Sequence, residues 1–264
     1  LGSVRDINSS VFVRQASLGN PNLKSASSTN YNLGFIYQFK ATTLSLDLWE
    51  IDYENRIEVE SAQAILSSNP NGPSVTRNEF GDLIGVSTTY FNEENTFISG
   101  IDFQFEYLME ISKGDLSINI MGTSLTDFLT PSLNSPNKMI NRIGKFNFDN
   151  HVHSLPKKRI NSFINWSYKN FVLGFSTRYI DGYKNEREIT GLGLTYGYQN
   201  TVKSFLVHDI SLKASKGNLS YSIYLSNLLD KSAPRLYDAP DFSFDTRVHD
   251  PRGRILGLNI GYEF

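Results

Sequence analysis

The first candidates for chemistry are side chains that could hold a metal ion. His151 and His153 stand two residues apart, close after Asp149, and alternate residues of a strand share one face, as two zinc ligands would need. Four carboxylates of a later stretch could bind calcium: Asp238, Asp241, Asp245 and Asp250. Their spacing lacks the regularity of a calcium loop. We interpret both groups as solvated loop residues and predict no metal and no cofactor.

Nucleophilic catalysis is the second chemistry that the residue types allow. Ser, His and Asp all occur in the chain, as a hydrolytic triad requires. No nucleophile elbow or other diagnostic spacing accompanies them. We therefore predict that the protein is not an enzyme.

Aromatic and arginine side chains make the best candidate for ligand recognition. They concentrate in two long stretches rich in turn-forming residues, 181–201 and 229–252. The set is Tyr183, Arg187, Tyr196, Tyr198, Arg235, Tyr237, Phe242 and Arg247. Guanidinium groups attract anions and aromatic rings stack on flat ligand groups, sugars included. The nearby acids Glu186, Asp238 and Asp241 weaken the case for an anion, so both ligand types stay open.

Alternation along the chain predicts the elements that position these side chains. In the last stretch, Arg252–Phe264, apolar residues alternate from Leu256 onward with Gly, Asn or Glu. The apolar set is Leu256, Leu258, Ile260, Tyr262 and Phe264. Such alternation puts the two sets on opposite faces of a β-strand. It is typical of a strand in a membrane barrel, with lipid on one side and a wet lumen on the other, although a soluble sandwich strand shows the same pattern.

The same alternation recurs along the chain and predicts nine strands in all. The other eight are Asn30–Phe39, Leu44–Ile57, Asp82–Ile111, Asp115–Thr123, Arg159–Tyr168, Phe171–Ile180, Phe205–Ala214 and Leu219–Leu228. The stretch 82–111 is interpreted as one long strand that is interrupted near Asn92–Glu94, with its upper part outside the bilayer. Leu1–Thr29 is polar and is predicted to be a loop.

The joins between these strands alternate in length. Short joins at 40–43, 112–114, 169–170 and 215–217 alternate with long ones at 58–81, 124–155, 181–201 and 229–252. Short turns on one rim and long loops on the other are typical of an outer-membrane barrel. Aromatic residues next to the short turns predict a belt at the membrane interface. They are Tyr37, Phe39, Tyr107, Trp166, Tyr168, Phe171, Tyr262 and Phe264.

Composition excludes several other classes of protein. The 264 residues contain no Cys, so neither disulfides nor thiolate metal sites are expected. A net charge of −2 lacks the strong excess of basic residues that is typical of nucleic-acid-binding proteins. No apolar run approaches the roughly 18 residues of a membrane helix, whereas barrel strands give a much weaker hydropathy signal.

Four stretches in the right order resemble motifs of TonB-dependent outer-membrane receptors. They are residues 19–34, Asn92 with residues 100–102, residues 226–231, and residues 251–254 before a terminal aromatic. The first contains Gly19-Asn20-Pro21 but has Ser25-Ala26 where Pro-Glu is common in the family, and the third has Leu229 in place of Phe. The resemblance spans nearly the whole chain.

The resemblance implies an all-β fold, an antiparallel transmembrane β-barrel segment. The family's barrel has 22 strands and an N-terminal plug that bears the TonB box, which is more than 264 residues can hold. Residues 1–264 are therefore expected to be the C-terminal part of such a barrel, without the plug. Implied partners are outer-membrane lipid, the remainder of the barrel and its plug, TonB, and the barrel-assembly machinery through the C-terminal strand, in the outer membrane of a Gram-negative bacterium.

The polar face of the predicted strands should point into the lumen. Its candidate lining residues are Asp102, Glu106, Glu110, Asn165 and Arg178. Three acids on one strand face could not lie against a dry core without partners. They could line a transport path or form a polar wall against the plug.

The family resemblance implies uptake of a scarce, large nutrient with energy from TonB. An iron–siderophore complex is the first hypothesis and a glycan is the second. An outer-membrane barrel enzyme is an alternative from another class, and it would have a complete barrel with an even strand number. A soluble β-rich glycan-binding domain is the third, and it would express without detergent.

Overall fold

The computed structural model describes residues 2–6, 9–132, 135–147, 154–186, 189, 191–237 and 243–264. These residues form many strands and two short helices. In chain order they are β1 Gly2–Asp6, β2 Ser9–Leu18, β3 Ser27–Phe39, β4 Thr42–Glu54, β5 Arg56–Val59, α1 Ala62–Ser68, β6 Val75–Arg77, β7 Leu83–Glu93, β8 Thr96–Ile111, β9 Gly114–Ser132, β10 Ser135–Asn141, β11 Lys158–Tyr168, β12 Phe171–Ile180, β13 Tyr183–Lys184, α2 Leu192–Thr195, β14 Thr201–Val202, β15 Phe205–Lys216, β16 Leu219–Ser226 and β17 Ile255–Tyr262. In the described part of the chain, neither helix has the length and apolarity to cross a membrane.

The main sheet is an antiparallel path of nine strands. Its order is β17, β16, β15, β12, β11, β9, β8, β4, β3, and β10 pairs with the far end of β9. The predicted number of nine strands is thus confirmed for the main sheet, and β12 has the predicted bounds. Within the described residues, the end strands β3 and β17 do not pair with each other, so the sheet is an unclosed barrel segment.

The strand register collects the apolar side chains on one face of the main sheet. One row across seven strands is Tyr107, Ile118, Ile164, Phe175, Ile210, Leu225 and Leu256. A row on the other face is polar and runs Asp47, Asp102, Thr123 and Arg159. Many apolar side chains of the main sheet are exposed, as expected of side chains that face lipid rather than a protein core.

A second sheet lies on the long-loop side, and we call it the cap sheet. It has the order β1, β2, β7, β5, with β6 paired to β7, and α1 packs against it. The prediction of a loop over residues 1–29 is therefore wrong, because β1 and β2 lie in that range. Strand β2 escaped notice because its polar residues interrupt the alternation, and it is held by long-range pairing with β7, which no local pattern shows.

The cap sheet also explains the interrupted stretch 82–111. A break occurs at Glu94 and Asn95, close to the predicted position, but the prediction of one long strand is wrong. The part above the break is a separate strand, β7, which pairs in the cap sheet and not in the main sheet. The buried core between the cap sheet and α1 consists of Val4, Val13, Ala62, Leu66, Leu83 and Val86. Helix α1 begins where Ser61 accepts a hydrogen bond from the backbone N–H of Ala64 at 3.2 Å, a normal N-cap that turns Leu66 toward this core.

Two of the predicted long loops also contain further regular structure. Residues 58–81 hold α1 and β6, and residues 124–155 hold the end of β9 and all of β10. The described residues of the loops between β12 and β15 and between β16 and β17 are largely irregular. The short joins are two-residue turns at 40–41, 112–113, 169–170 and 217–218, and they form what we call the short-turn rim.

Candidate ligand-binding region on the long-loop side

Four of the predicted ligand-binding residues lie together in the loops. The Arg235 guanidinium lies 4.2 Å from the centre of the Tyr198 ring, which is a cation–π contact. The rings of Tyr198 and Tyr237 meet edge to face at 5.6 Å. Arg235 also donates to the backbone carbonyl of Tyr196 at 3.4 Å. These contacts join α2 to the loop before β17, so we call Tyr196, Tyr198, Arg235 and Tyr237 the arginine–tyrosine cluster.

The close approach of the two loops depends on a glycine in α2. A Cβ built on Gly193 would lie 2.3 Å from the Tyr237 ring, so a larger residue would displace that ring. The Asn185 side chain donates to the backbone carbonyl of Tyr237 at 3.1 Å. The loops thus hold Tyr237 from both sides, which positions its ring against Tyr198.

The other predicted ligand-binding residues lie elsewhere. Tyr183 is buried, so it packs between loops and presents no surface to a ligand in this arrangement. Arg247 is exposed, in a turn where its backbone N–H donates to Asp245 at 3.0 Å. Arg187 and Phe242 lie outside the described residues. So do the metal candidates His151, His153, Asp149, Asp238 and Asp241.

A buried cluster holds three long loops together, and we call it the loop core. Phe146, Tyr183, Val202 and Leu236 form it, with Val248 packed against them. The Ser154 hydroxyl donates to the Asp245 carboxylate within the same region. Because these residues come from the loops after β10, β12 and β16, the loop core fixes the loops that carry the arginine–tyrosine cluster.

His249 is a buried titratable group at the edge of the loop core. It is only 3% exposed and lies between Tyr183, stacked at 5.9 Å, and Phe205, edge-on at 5.3 Å. Neither ring nitrogen bonds to any residue that the structure describes. Burial lowers the pKa of His249 to about 4, with Arg159 acting in the same direction and Asp245 opposing it. The imidazole is therefore neutral near pH 7.

A cavity of about 510 Å³ opens on the polar face at the long-loop end of the main sheet. Its lining includes three arginines, Arg159, Arg178 and Arg252, and two aspartates, Asp209 and Asp250. Arg178 lies 3.4 Å from Asp209 and Arg252 lies 2.7 Å from Asp250. Arg159 forms no ion pair with a described residue.

The positive charge around this cavity exceeds the negative charge by one. The Arg252 guanidinium also lowers the pKa of Asp250 to about 2, chiefly through its hydrogen bonds. Both aspartates are thus occupied by arginines, and the region can accept an anion. Of these arginines only Arg178 was among the residues predicted from the sequence. Arg159 lies on β11 and Arg252 in the loop before β17, and only the folded arrangement of strand and loop brings them to one cavity.

The five predicted lumen residues share the polar face of the main sheet. Asp102 accepts a hydrogen bond from the Thr123 hydroxyl at 2.6 Å. Glu106 accepts from Asn119 at 2.9 Å and from Gln104 at 2.7 Å. Glu110, Asn165 and Arg178 follow the same register. Their role in the lumen stays a prediction.

Two motif asparagines act as structural joints. The Asn92 side chain accepts from the backbone N–H of Lys24 at 2.8 Å and donates to the carbonyls of Asn55 and Lys24 at 2.8 and 2.9 Å. The Asn227 side chain accepts a hydrogen bond from the backbone N–H of Lys231 at 2.8 Å and donates one to the backbone carbonyl of Lys231 at 2.9 Å. The first joint ties the cap sheet to the main sheet, and the second shapes the loop after β16.

Comparison with known proteins agrees with this architecture. The family model described as TonB dependent receptor-like, beta-barrel matches residues 5–228. A search of curated protein sequences finds no match. Among solved structures, the siderophore receptor PirA from Acinetobacter baumannii is 18% identical, with a TM-score of 0.61 over 94% of this chain and 33% of that one.

Two further structures are similar at the level of the fold. A mutant of the ferric enterobactin receptor PfeA from Pseudomonas aeruginosa is 15% identical, with a TM-score of 0.57 over 93% of this chain and 32% of that one. The FrpB iron transporter from Neisseria meningitidis is 12% identical, with a TM-score of 0.56 over 96% of this chain and 33% of that one. The chain therefore spans about a third of the length of these receptors. It belongs to the family of TonB-dependent receptor-like β-barrels.

Proposed function

We propose that this chain is the C-terminal part of the barrel of an outer-membrane receptor that takes up an iron–siderophore complex. In this proposal, energy comes from TonB, and the plug and the TonB contact belong to other parts of the full-length receptor. Family membership supports a transport receptor rather than an enzyme. The solved relatives named for siderophores or iron transport support the ligand class.

The observation that carries the proposal is the arginine-rich cavity on the polar face. Its volume of about 510 Å³ lies in the range of small-molecule sites. Guanidinium groups keep their charge and present planar donors that match the oxygens of an anionic chelate. Arg159, which has no described carboxylate partner, is the side chain best placed to accept such a ligand.

The arginine–tyrosine cluster gives a second place for ligand contact. Arg235 is exposed and so is the Tyr196 ring. In the proposed function these groups would receive the chelate before it reaches the cavity. The exposed Tyr196 ring also favours the second candidate, a glycan receptor, because aromatic rings stack on sugars.

The test is ligand binding to the purified full-length receptor. We expect ferric enterobactin, as a representative anionic chelate, to bind, and the double variant Arg159→Gln/Arg252→Gln to weaken that binding about tenfold or more. The double variant Arg14→Gln/Arg254→Gln removes the same two charges from exposed arginines that do not line the cavity and should bind as the unchanged receptor does.

Expression of the full gene gives an independent test. Induction by iron starvation is expected. Binding of a neutral oligosaccharide without chelate binding, together with induction by a polysaccharide and no response to iron, would replace this proposal by the glycan receptor.

A further inference from the structure

A lysine lies in three of the four turns of the short-turn rim and directly before the fourth. These lysines are Lys40, Lys113, Lys169 and Lys216. All four are exposed, and none forms an ion pair with a residue that the structure describes. The rim therefore presents four ammonium groups in a row along its edge.

Two of these lysines lie over aromatic rings of the same rim, and an aromatic side chain is hydrogen-bonded to the backbone of a third. Lys40 lies 5.2 Å from the centre of the Phe39 ring, and Lys169 lies 5.2 Å from that of Tyr168. The Trp166 indole N–H donates to the backbone carbonyl of Lys113 at 2.8 Å. Aromatic rings of this kind lie at the depth of the lipid headgroups, and lysine stems follow apolar surface while the ammonium reaches water.

Acidic residues at this rim are segregated to the other face. The last two residues of the apolar row in each of the nine strands include no Asp or Glu. Glu110 and Asp115 oppose each other on the polar face, and Glu263 continues the polar row of β17. The four lysines therefore form no ion pair with a described acid, and the acids nearest to the rim lie on the polar face.

The turn backbone does not explain why lysine occupies two of these positions. Lys40 and Lys169 have φ of 51° and 53°, in the left-handed region that Gly and Asn adopt most readily. At the other two turns the positive φ is adopted by glycines, Gly114 directly after the second turn and Gly217 within the fourth. At Lys40 and Lys169 a residue that is unfavourable for the turn is present, so the ammonium group itself is the feature to explain.

We propose that the short-turn rim binds the phosphate groups of anionic phospholipids through these four lysines. The lipid leaflet follows from the proposed function, because the short turns of such barrels face the periplasm, where the adjoining leaflet consists of phospholipid. The hairpins at Lys40 and Lys169 each bring a ring that enters the interface and an ammonium group that reaches the phosphate, and Lys113 and Lys216 extend the row of ammonium groups along the rim. The rim thus gathers anionic lipid from the leaflet around it.

The experiment measures lipid preference of the full-length receptor. The receptor is reconstituted in vesicles of phosphatidylethanolamine and phosphatidylglycerol, and spin-labelled forms of both lipids report which one occupies the boundary of the protein. We expect phosphatidylglycerol to be preferred about two- to fivefold, with the preference falling at high salt. The variant K40Q/K113Q/K169Q/K216Q should lose the preference.

A matched variant controls for net charge. K24Q/K138Q/K157Q/K203Q also removes four exposed lysines, all of them outside the short-turn rim, and it should keep the preference. Equal preference in the rim variant and the unchanged receptor would overturn the proposal, as would an equal loss in the control.

Vesicles that contain lipopolysaccharide separate the two leaflets. Binding of lipopolysaccharide through the rim lysines in place of phosphatidylglycerol would also overturn the proposal. The assay contains no transported ligand, so a wrong ligand assignment would leave its result unchanged and would show instead in the chelate titration.

Discussion

The two buried clusters outside the main sheet, one in the cap sheet and one in the loop core, consist of different types of side chain. The cap sheet is filled with aliphatic side chains and a small Ala, all supplied by strands and α1. The loop core contains Phe146 and Tyr183 and adjoins His249, and it lies between loops with little regular structure. The buried cluster of the cap sheet contains no group that titrates, whereas the loop core contains Tyr183 and lies against His249.

The difference indicates which region is a scaffold and which can adjust. Aliphatic packing on a sheet has no protonation state to change, and the cap sheet closes with a bidentate contact from Arg77 to Asp6 at 2.8 Å for both bonds. Loops that rest on aromatic and titratable groups respond to acid and to small changes of packing. The predicted ligand contacts at Arg235 and Tyr198 depend on the second kind of core.

The largest effect should follow from placing a charge in the cap sheet. Val86 is 2% exposed, so Val86→Asp would bury a carboxylate without a partner and destabilise the cap sheet by about 4 kcal/mol. Limited proteolysis of the full-length receptor should then cut within residues 56–93, while the main sheet stays resistant. Ile84→Asp, at a position that is 48% exposed, is the control. Equal sensitivity of both variants would contradict the assignment of Val86 to a closed core.

A slightly smaller effect is expected in the loop core. Leu236 is 1% exposed, and Leu236→Ala should cost about 3 kcal/mol through lost burial and a cavity. The loops around Tyr237 should become sensitive to protease, while the cap sheet keeps its resistance. Leu229→Ala, at a leucine that is 68% exposed, should change little. Loss of resistance in the cap sheet as well would show that the two clusters form one cooperative unit.

Acid should separate the two clusters without any mutation. The pKa of His249 is lowered to about 4, so its contribution to stability is complete above the unfolded value near 6.5 and is lost as the pH falls toward 4. At about pH 5 the loop core should be weaker by about 2 kcal/mol. The variant His249→Leu should remove this dependence, measured as protease resistance of the loops against pH.

The cap sheet should not respond over the same pH range. The hydrogen bond from Arg77 lowers the pKa of Asp6 below its usual value of 3.8, so the stabilisation by that pair is lost only in stronger acid. Loosening of both clusters in parallel between pH 6.5 and pH 5 would show that His249 is not the responsible group.

The smallest effect concerns the joint between the cap sheet and the main sheet. Asn92→Ala removes two donated hydrogen bonds and one accepted from Lys24, at a cost of about 1 kcal/mol. Hydrogen exchange should rise at Lys24 and around Asn55, while the core of the cap sheet stays protected. Asn32→Ala, at an exposed asparagine of β3, is the control. An unchanged exchange rate at Lys24 would mean that the joint does not depend on Asn92.

The sequence predicts the main sheet well because each of its strands carries its own signal. Alternation in β12 or β17 is local, and turn lengths supply the order of the strands. The cap sheet lacks such local alternation, since β2 is positioned by its pairing with β7, a strand about 70 residues further along the chain. Predictions from local pattern therefore succeeded where neighbours in sequence are neighbours in space, and failed where they are not.

The candidate site divides in a similar way. Tyr196, Tyr198, Arg235 and Tyr237 could be picked from residue type alone, and the structure places them in contact. Tyr183 has the same type but is buried, which residue type does not reveal. Arg159 and Arg252 lie 93 residues apart in the numbering and meet at one cavity, one on a strand and the other in a loop, so no local sequence pattern could have identified the pair.

The parallel pairing of β2 with β7 has a consequence for the order of folding. Ser17 and Thr88, whose hydroxyls meet at 3.2 Å, are separated by 71 residues, whereas the hairpin of β11 and β12 closes through a two-residue turn. Short-range hairpins form before pairings that must first close a long stretch of chain. We therefore expect the cap sheet to assemble after β3, β4 and β8 have been placed side by side, as a late step in the maturation of the receptor.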